Sequence, residues 1–143
     1  MVVILTTGVR SDEAMNHQID HNFVGDIAPR PTNGWEATRI GTNSRSGTNG
    51  RMLVDSNYFY RADGEIEIIS SKTHNNTFTG NVFRESQGNL TLRHGNGGTV
   101  DGNCFLGGGV TRTSGIRAYG EDHVISDNYL QDLNGDGTAR QSR

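Results

Sequence analysis

Apolar and polar positions along this chain alternate in short runs, and no stretch carries an apolar stripe at helical spacing. An asparagine followed two positions later by an apolar or aromatic residue recurs at Asn22, Asn57, Asn81, Asn103 and Asn128, in HQIDHNFV, RMLVDSNYF, NNTFTGNVF, GTVDGNCF and HVISDNYL. The intervals are 35, 24, 22 and 25 residues, a solenoid period with one longer insertion. Between these copies a second set of alternating segments recurs: ATRIG at 37–41, IEIIS at 66–70, LTLRH at 90–94 and IRAYG at 116–120. Aligning Thr38, Ile66, Leu90 and Ile116 gives intervals of 28, 24 and 26, in step with the first ladder. Each coil therefore offers at least two short strands.

Short strands at this period, separated by Gly and Asn, predict an all-β parallel β-helix whose coils bury their inner faces only by stacking. The ladder asparagines are expected to point inward and satisfy turn backbone, since Asn tolerates left-handed conformations and bonds nearby main chain. About four to five coils at roughly 4.8 Å each make a rod only about 20–25 Å long. Strand edges at both ends need covering, and neither terminus offers an amphipathic capping helix, so 1–143 is expected to be one β-helix segment of a longer domain.

Composition narrows this picture. A length of 143 residues suits one domain, and 31% apolar residues with 20 glycines and 2 prolines suit a narrow, turn-rich core. The formal charge is -3 and the 13 basic residues form no run, so no nucleic-acid partner is expected. Cys104 is the single cysteine, which excludes an internal disulfide and is expected as a small core residue. Met1 to Gly8 has no basic region and too little apolar length for a signal peptide, and no membrane span is expected.

Candidate chemistry gathers on the second ladder. With Ile66 and Ile68 inward, Glu65 and Glu67 face outward on one strand, about 7 Å apart or less. Such a pair suits a hard cation with oxygen ligands, or equally two solvated surface acids. Lys72 follows where that strand should turn. On the next coil Arg93 and His94 take the equivalent strand end, beside Ile69 and Ser70 and near Lys72. Arg39, aligned with Glu67 one coil below, and Arg117, aligned with Thr91 one coil above, share this face. It reads as a charged groove or as ion pairs on a solenoid surface.

The strings NGWEATRIG, GEIEIISSK and LTLRHGN closely resemble signature segments of family-6 polysaccharide lyases, which include alginate lyases and the dermatan-cleaving chondroitinase B type. The resemblance runs from about Asn16 to Tyr129 and implies a right-handed parallel β-helix acting as a carbon–oxygen lyase on an anionic polysaccharide. It implies Asn33, Glu65 and Glu67 as calcium (Ca2+) ligands, Lys72 as Brønsted base, Arg93 as Brønsted acid and His94 as a substrate-binding neighbour. Arg117 is expected at a subsite, mainly from its column. The implied reaction is β-elimination on a uronate polymer, alginate first and dermatan sulfate next. A lysine acts as base only when neutral, a form that adjacent positive charge favours. A guanidinium gives up a proton reluctantly, so Arg93 suits steadying of developing charge while water or His94 delivers the proton.

Other motifs carry less. Asp132, Asn134, Asp136 and Gly137 open like a calcium-binding EF-hand loop, but its twelfth position is Arg143 instead of Glu, and the segment reads as a Gly-rich turn. The sequons at Asn75 and Asn89 are short enough to arise by chance, and the glycine clusters near Gly97 and Gly108 lack the lysine and helix of a phosphate loop. A polysaccharide substrate implies secretion or a periplasmic location, although no export signal is expected within this chain. Two rivals stay open: a non-catalytic glycan-binding or structural β-helix, and a truncated lyase without activity.

Overall fold

The computed structural model describes residues 15–135. The chain winds through four three-strand coils and two further strands, all paired in parallel. The first coil is β1 (Gln18–Asp20), β2 (Phe23–Ile27) and β3 (Thr38–Ile40); the second is β4 (Leu53–Asp55), β5 (Tyr58–Ala62) and β6 (Glu67–Ser71). The third is β7 (Thr77–Thr79), β8 (Val82–Arg84) and β9 (Gly88–Leu92), and the fourth is β10 (Thr99–Asp101), β11 (Cys104–Leu106) and β12 (Thr113–Ala118). β13 (Val124–Ser126) and β14 (Tyr129–Gln131) follow. Stacking gives a first sheet β1-β4-β7-β10-β13, a second β2-β5-β8-β11-β14 and a third β3-β6-β9-β12. The expected parallel β-helix is therefore what forms, with three strands per coil where the sequence pattern required at least two.

Three corners per coil make this possible. Residues six positions before each ladder asparagine (Asn16, Arg51, Asn75, Gly97, Asp122) and one before it (His21, Ser56, Gly80, Gly102, Asp127) all have positive φ. So do Asp26, Arg61, Glu85 and Asp132, four positions after. A left-handed residue turns the strand sharply, and the groups it leaves unpaired need a partner. The asparagines supply it: Asn81 Nδ2 donates to Val54 O and to Asn103 Oδ1, while its Oδ1 accepts from the backbone and side chain of Asn57. The ladder is continuous from Asn22 to Asn128.

Inside, Phe59, Phe83 and Phe105 stack on successive coils with centroids 4.8 and 4.6 Å apart. Val54, Phe78 and Val100 line the opposite wall, and Ile69 and Leu90 the third, all fully buried. Such columns bury apolar surface rung by rung, so the core is as narrow as the composition requires.

Four expectations change. Ile66 is 39% exposed instead of inward, while Glu67 is only 8% exposed. The cause is a bulge: Glu67 pairs with Asn89 and Ile69 with Leu90, so β6 carries one residue more than β9 and the alternation resets. On the other side of β6, Thr38 lies opposite Ile69, and Arg39 opposite Ser70 instead of Glu67. Cys104 is half-buried on the outer face between Val82 and Tyr129, because Phe105 takes the inward position. The long first interval is two enlarged loops, 28–37 and 41–52, on either side of β3, the second containing a 3-10 turn at Asn43–Arg45. Asp132 and Asn134 lie in a turn tied to Thr113; Asp136, Gly137 and the initial Met1 to Gly8 lie outside the described residues. No helix among the described residues is long and apolar enough to cross a membrane.

Candidate active site

The third sheet and the loop before it build the site. Lys72 N donates to Ile40 O, Arg93 N to Ser71 O and Tyr119 N to Leu92 O. These bonds continue the strand register, placing Lys72, Arg93 and Tyr119 in one column on successive rungs. Arg93 thus stands beside Lys72 itself, three residues further along β6 than the sequence alignment expected, one of the three being the bulge residue. Beside this column run Arg39, Ser70, Thr91 and Arg117. The expected match of Arg117 with Thr91 holds.

The loop 28–37 folds over the start of β6. Gly64 allows this, since a Cβ there would lie 2.2 Å from Trp35 O. Gly88, at φ +106, similarly lets its rung pass Ile66 O, which a Cβ would approach to 2.4 Å. The result brings carboxylate oxygens of Glu36, Glu65 and Glu67 within 4.8 Å of one another. Six of the seven expected site residues, Asn33, Glu65, Glu67, Lys72, Arg93 and Arg117, line a single cleft of about 630 Å³. His94 does not line that cleft; it follows Arg93, half-buried, with its amide on Ser71 O.

The electrostatics of the acidic trio are uneven. Glu36 is buried and paired with Arg39 through two bonds. Burial pushes its carboxyl up, yet the Arg39 hydrogen bonds and charge, with Lys72 nearby, hold it below the ordinary value. Arg39 is raised in return, chiefly by that bond to Glu36. Glu65 accepts one backbone bond, from Gly34 N at 3.2 Å. Burial first, then the charge of Glu36, pushes its carboxyl up to about 7. Glu67 has Arg93 Nε at 3.8 Å, an ion-pair distance too long for a hydrogen bond. The guanidinium of Arg93 lies over the ring of Tyr119, 5.4 Å from its centroid.

Three convergent carboxylates meet two arginines, Arg39 on Glu36 and Arg93 near Glu67, and Glu65 has no cationic partner among the ion pairs of the described residues. The all-oxygen character of this cradle, with the Asn33 amide on the same cleft wall, fits a hard divalent cation. Lys72, Arg93, Arg117, Arg30 and Arg112 line the same cleft. Cations of this number suit a polyanion.

Sequence reading missed Glu36 and Tyr119. Glu36 sits in the NGWE string, but nothing local distinguishes it from a surface acid; only the loop fold carries it onto Glu65. Tyr119 was within reach, since Ile116 opposite Leu90 puts Tyr119 opposite Arg93.

Residues 2–142 match the family model described as Chondroitinase B. No curated protein matches. Among solved structures, a mutant of the PL6 family alginate lyase AlyGC is 46% identical over 93% of this chain and 18% of its own, with a TM-score of 0.79. A mannuronic acid specific family 6 lyase from human gut microbiota is 41% identical over 87% of this chain and 28% of its own, at TM-score 0.84. A PL6 alginate lyase in complex with a trisaccharide is 37% identical over 87% and 28%, at TM-score 0.82. The chain spans less than a third of the length of these lyases.

Proposed function

Because the chain belongs to polysaccharide lyase family 6, we propose that its cleft is the calcium-assisted β-elimination site of a lyase acting on a uronate polymer, alginate first and dermatan sulfate next. The observation that carries this reading is one cleft that holds both an acidic oxygen cradle and the column of Lys72 and Arg93.

Asn33, Glu65 and Glu67 would hold the ion, with Glu36 as a third carboxylate at the same point. When bound there, calcium supplies charge neutralisation at a substrate carboxylate, which makes the adjacent C–H proton easier to remove. Lys72 takes that proton as a neutral amine. Arg93 and Arg117, on the same cleft, hold the polymer's carboxylates by charge-assisted bonds. Arg93, steadied by Tyr119, offsets the negative charge that develops on the departing glycosidic oxygen. That oxygen takes its proton from water or from His94, because a guanidinium donates poorly. A polysaccharide substrate places the working protein outside the cytoplasm.

The test is direct. Incubated with alginate, polymannuronate or dermatan sulfate, the chain with calcium should generate unsaturated uronate ends that absorb in the ultraviolet, and a chelator should stop the reaction. Lys72→Ala should abolish the signal while keeping a calcium-dependent thermal shift. Polymer retention without ultraviolet product would instead make this a glycan-binding solenoid, and near-normal turnover in Lys72→Ala would refute the base assignment.

A further inference from the structure

Four Asn–Gly pairs occur in the described residues: Asn33–Gly34, Asn49–Gly50, Asn96–Gly97 and Asn134–Gly135. An asparagine next to glycine is chemically labile. Its side-chain carbonyl carbon is open to attack by the following backbone nitrogen, and glycine has no Cβ to obstruct the closure. A folded chain suppresses this where the glycine amide is committed to a hydrogen bond and the asparagine side chain is tied down.

Three pairs are protected in that way. Gly50 N donates to His74 O at 2.9 Å, Gly97 N to Glu121 O at 3.1 Å and Gly135 N to Thr113 O at 2.8 Å. The side chains are held too: Asn49 Oδ1 accepts from Asn75, Asn96 bonds Glu121 through both Oδ1 and Nδ2, and Asn134 Nδ2 donates to Gly109 O. Asn33 differs in its untied side chain and in a glycine amide that bonds a side chain instead of the main chain. It is exposed in the enlarged loop, and its side chain makes no hydrogen bond among the described residues. Gly34 N is bonded to no backbone carbonyl, only to the Glu65 side chain at 3.2 Å. Above Gly34 the space is open, with a single atom, Arg39 Nη2 at 3.5 Å, near the place a Cβ would take.

We infer that Asn33 is a self-modification site, at which the loop converts its own asparagine to aspartate or isoaspartate when no ligand holds the side chain. Solvent base removes the Gly34 amide proton, and the nitrogen forms a bond to Asn33 Cγ. The Cγ–Nδ2 bond breaks, and ammonia leaves with a proton from water. Water then opens the resulting five-membered imide at either carbonyl. The net change is amide plus water to carboxylate plus ammonium, with no oxidant or reductant.

The consequence rests on the reading of Asn33 as a cation ligand. Conversion would add a charge beside Glu36, Glu65 and Glu67, or, as isoaspartate, lengthen the main chain by one methylene at the cradle wall. An ion drawing on the Asn33 carbonyl would pin the side chain and block closure, so loading with calcium protects the site.

The chain is held at mildly alkaline pH in chelator, digested at intervals, and the four asparagines are followed by mass spectrometry. Asn33 should convert several-fold faster than Asn49, Asn96 and Asn134, and in urea the four rates should converge. Folded-state conversion of Asn33 no faster than the other three, or a preference that persists unchanged in urea, would overturn the inference. With calcium in place of chelator, Asn33 conversion should slow several-fold while the other three are unaffected. If the ranking holds but calcium gives no protection, the modification site stands and Asn33 is overturned as a ligand.

Discussion

Replacing Glu65 with Gln separates the cost of the acidic cradle from its use. Glu65 carries a carboxyl pushed up to about 7 from 4.5, by burial first and then by Glu36. A group whose folded value lies above its unfolded one supports folding at low pH, and that support is lost as pH rises through the folded value. The ion-free protein should therefore lose stability between about pH 4.5 and 7 on account of this residue. The shift corresponds to at most about 3 kcal/mol, and partial solvent access reduces this to about 1–2 kcal/mol. Gln keeps the acceptor for Gly34 N and removes the charge. In chelator at pH 8, Glu65→Gln should thus melt roughly 3–6 °C above the parent, and at pH 4 the two should coincide. Added calcium should raise the parent's melting temperature and leave the variant's unmoved. Thermal melts by circular dichroism at two pH values, each with chelator and with calcium, give the answer. A variant that melts at or below the parent in chelator at pH 8 would refute the picture of an overcharged cradle.

Other predictions follow from the same geometry. Calcium affinity should weaken as pH falls through about 7, because Glu65 must give up its proton to bind; calorimetry in two buffers of different ionisation enthalpy should detect the released proton, and buffer-independent heats would count against it. Tyr119→Leu should slow elimination about two- to fivefold by releasing Arg93, whereas Tyr119→Phe should preserve the rate; equal losses would assign the effect to the hydroxyl. Asn81→Ala should destabilise by about 2–5 kcal/mol, since it strips four bonds from fully buried partners, whereas Asn22→Ala at the exposed end should cost about 1 kcal/mol, both read by denaturant midpoint.

What could be read from the sequence was whatever repeats. The five asparagines and the inward residues two places after them are fixed by the same physical demand on every coil, so Asn57, Asn81 and Asn103 announced themselves by spacing alone. The third strand of each coil lay hidden inside the same segments, because its corner is a single residue and several corner residues give no warning. Arg51, Arg61 and Glu85 adopt left-handed conformations that composition assigns to Gly or Asn, and only the surrounding ladder holds them there. Register across the third sheet was lost for a similar reason. One extra residue in β6 shifts its pairing with β9 between Glu67 and Ile69, and Glu67, though little exposed, lines the cleft and not the core. The resemblance supplied the site residues that spacing could not, and the register error did not separate them, since Lys72 and Arg93 end closer in rank than expected. Glu36 was illegible because its place depends on a loop that has no repeat to compare with.

The enlarged first coil bears on how such a molecule can diversify. Its additional residues leave the solenoid as two excursions around β3, while the asparagine spine beneath them keeps the same hydrogen bonds as on every other rung. The excursion before β3 therefore carries only Asn33 and Glu36 of the cradle, while Glu65, Glu67, Lys72 and Arg93 stay with the stacked coils, so the overhang can be lengthened or reshaped without disturbing the spacing from coil to coil.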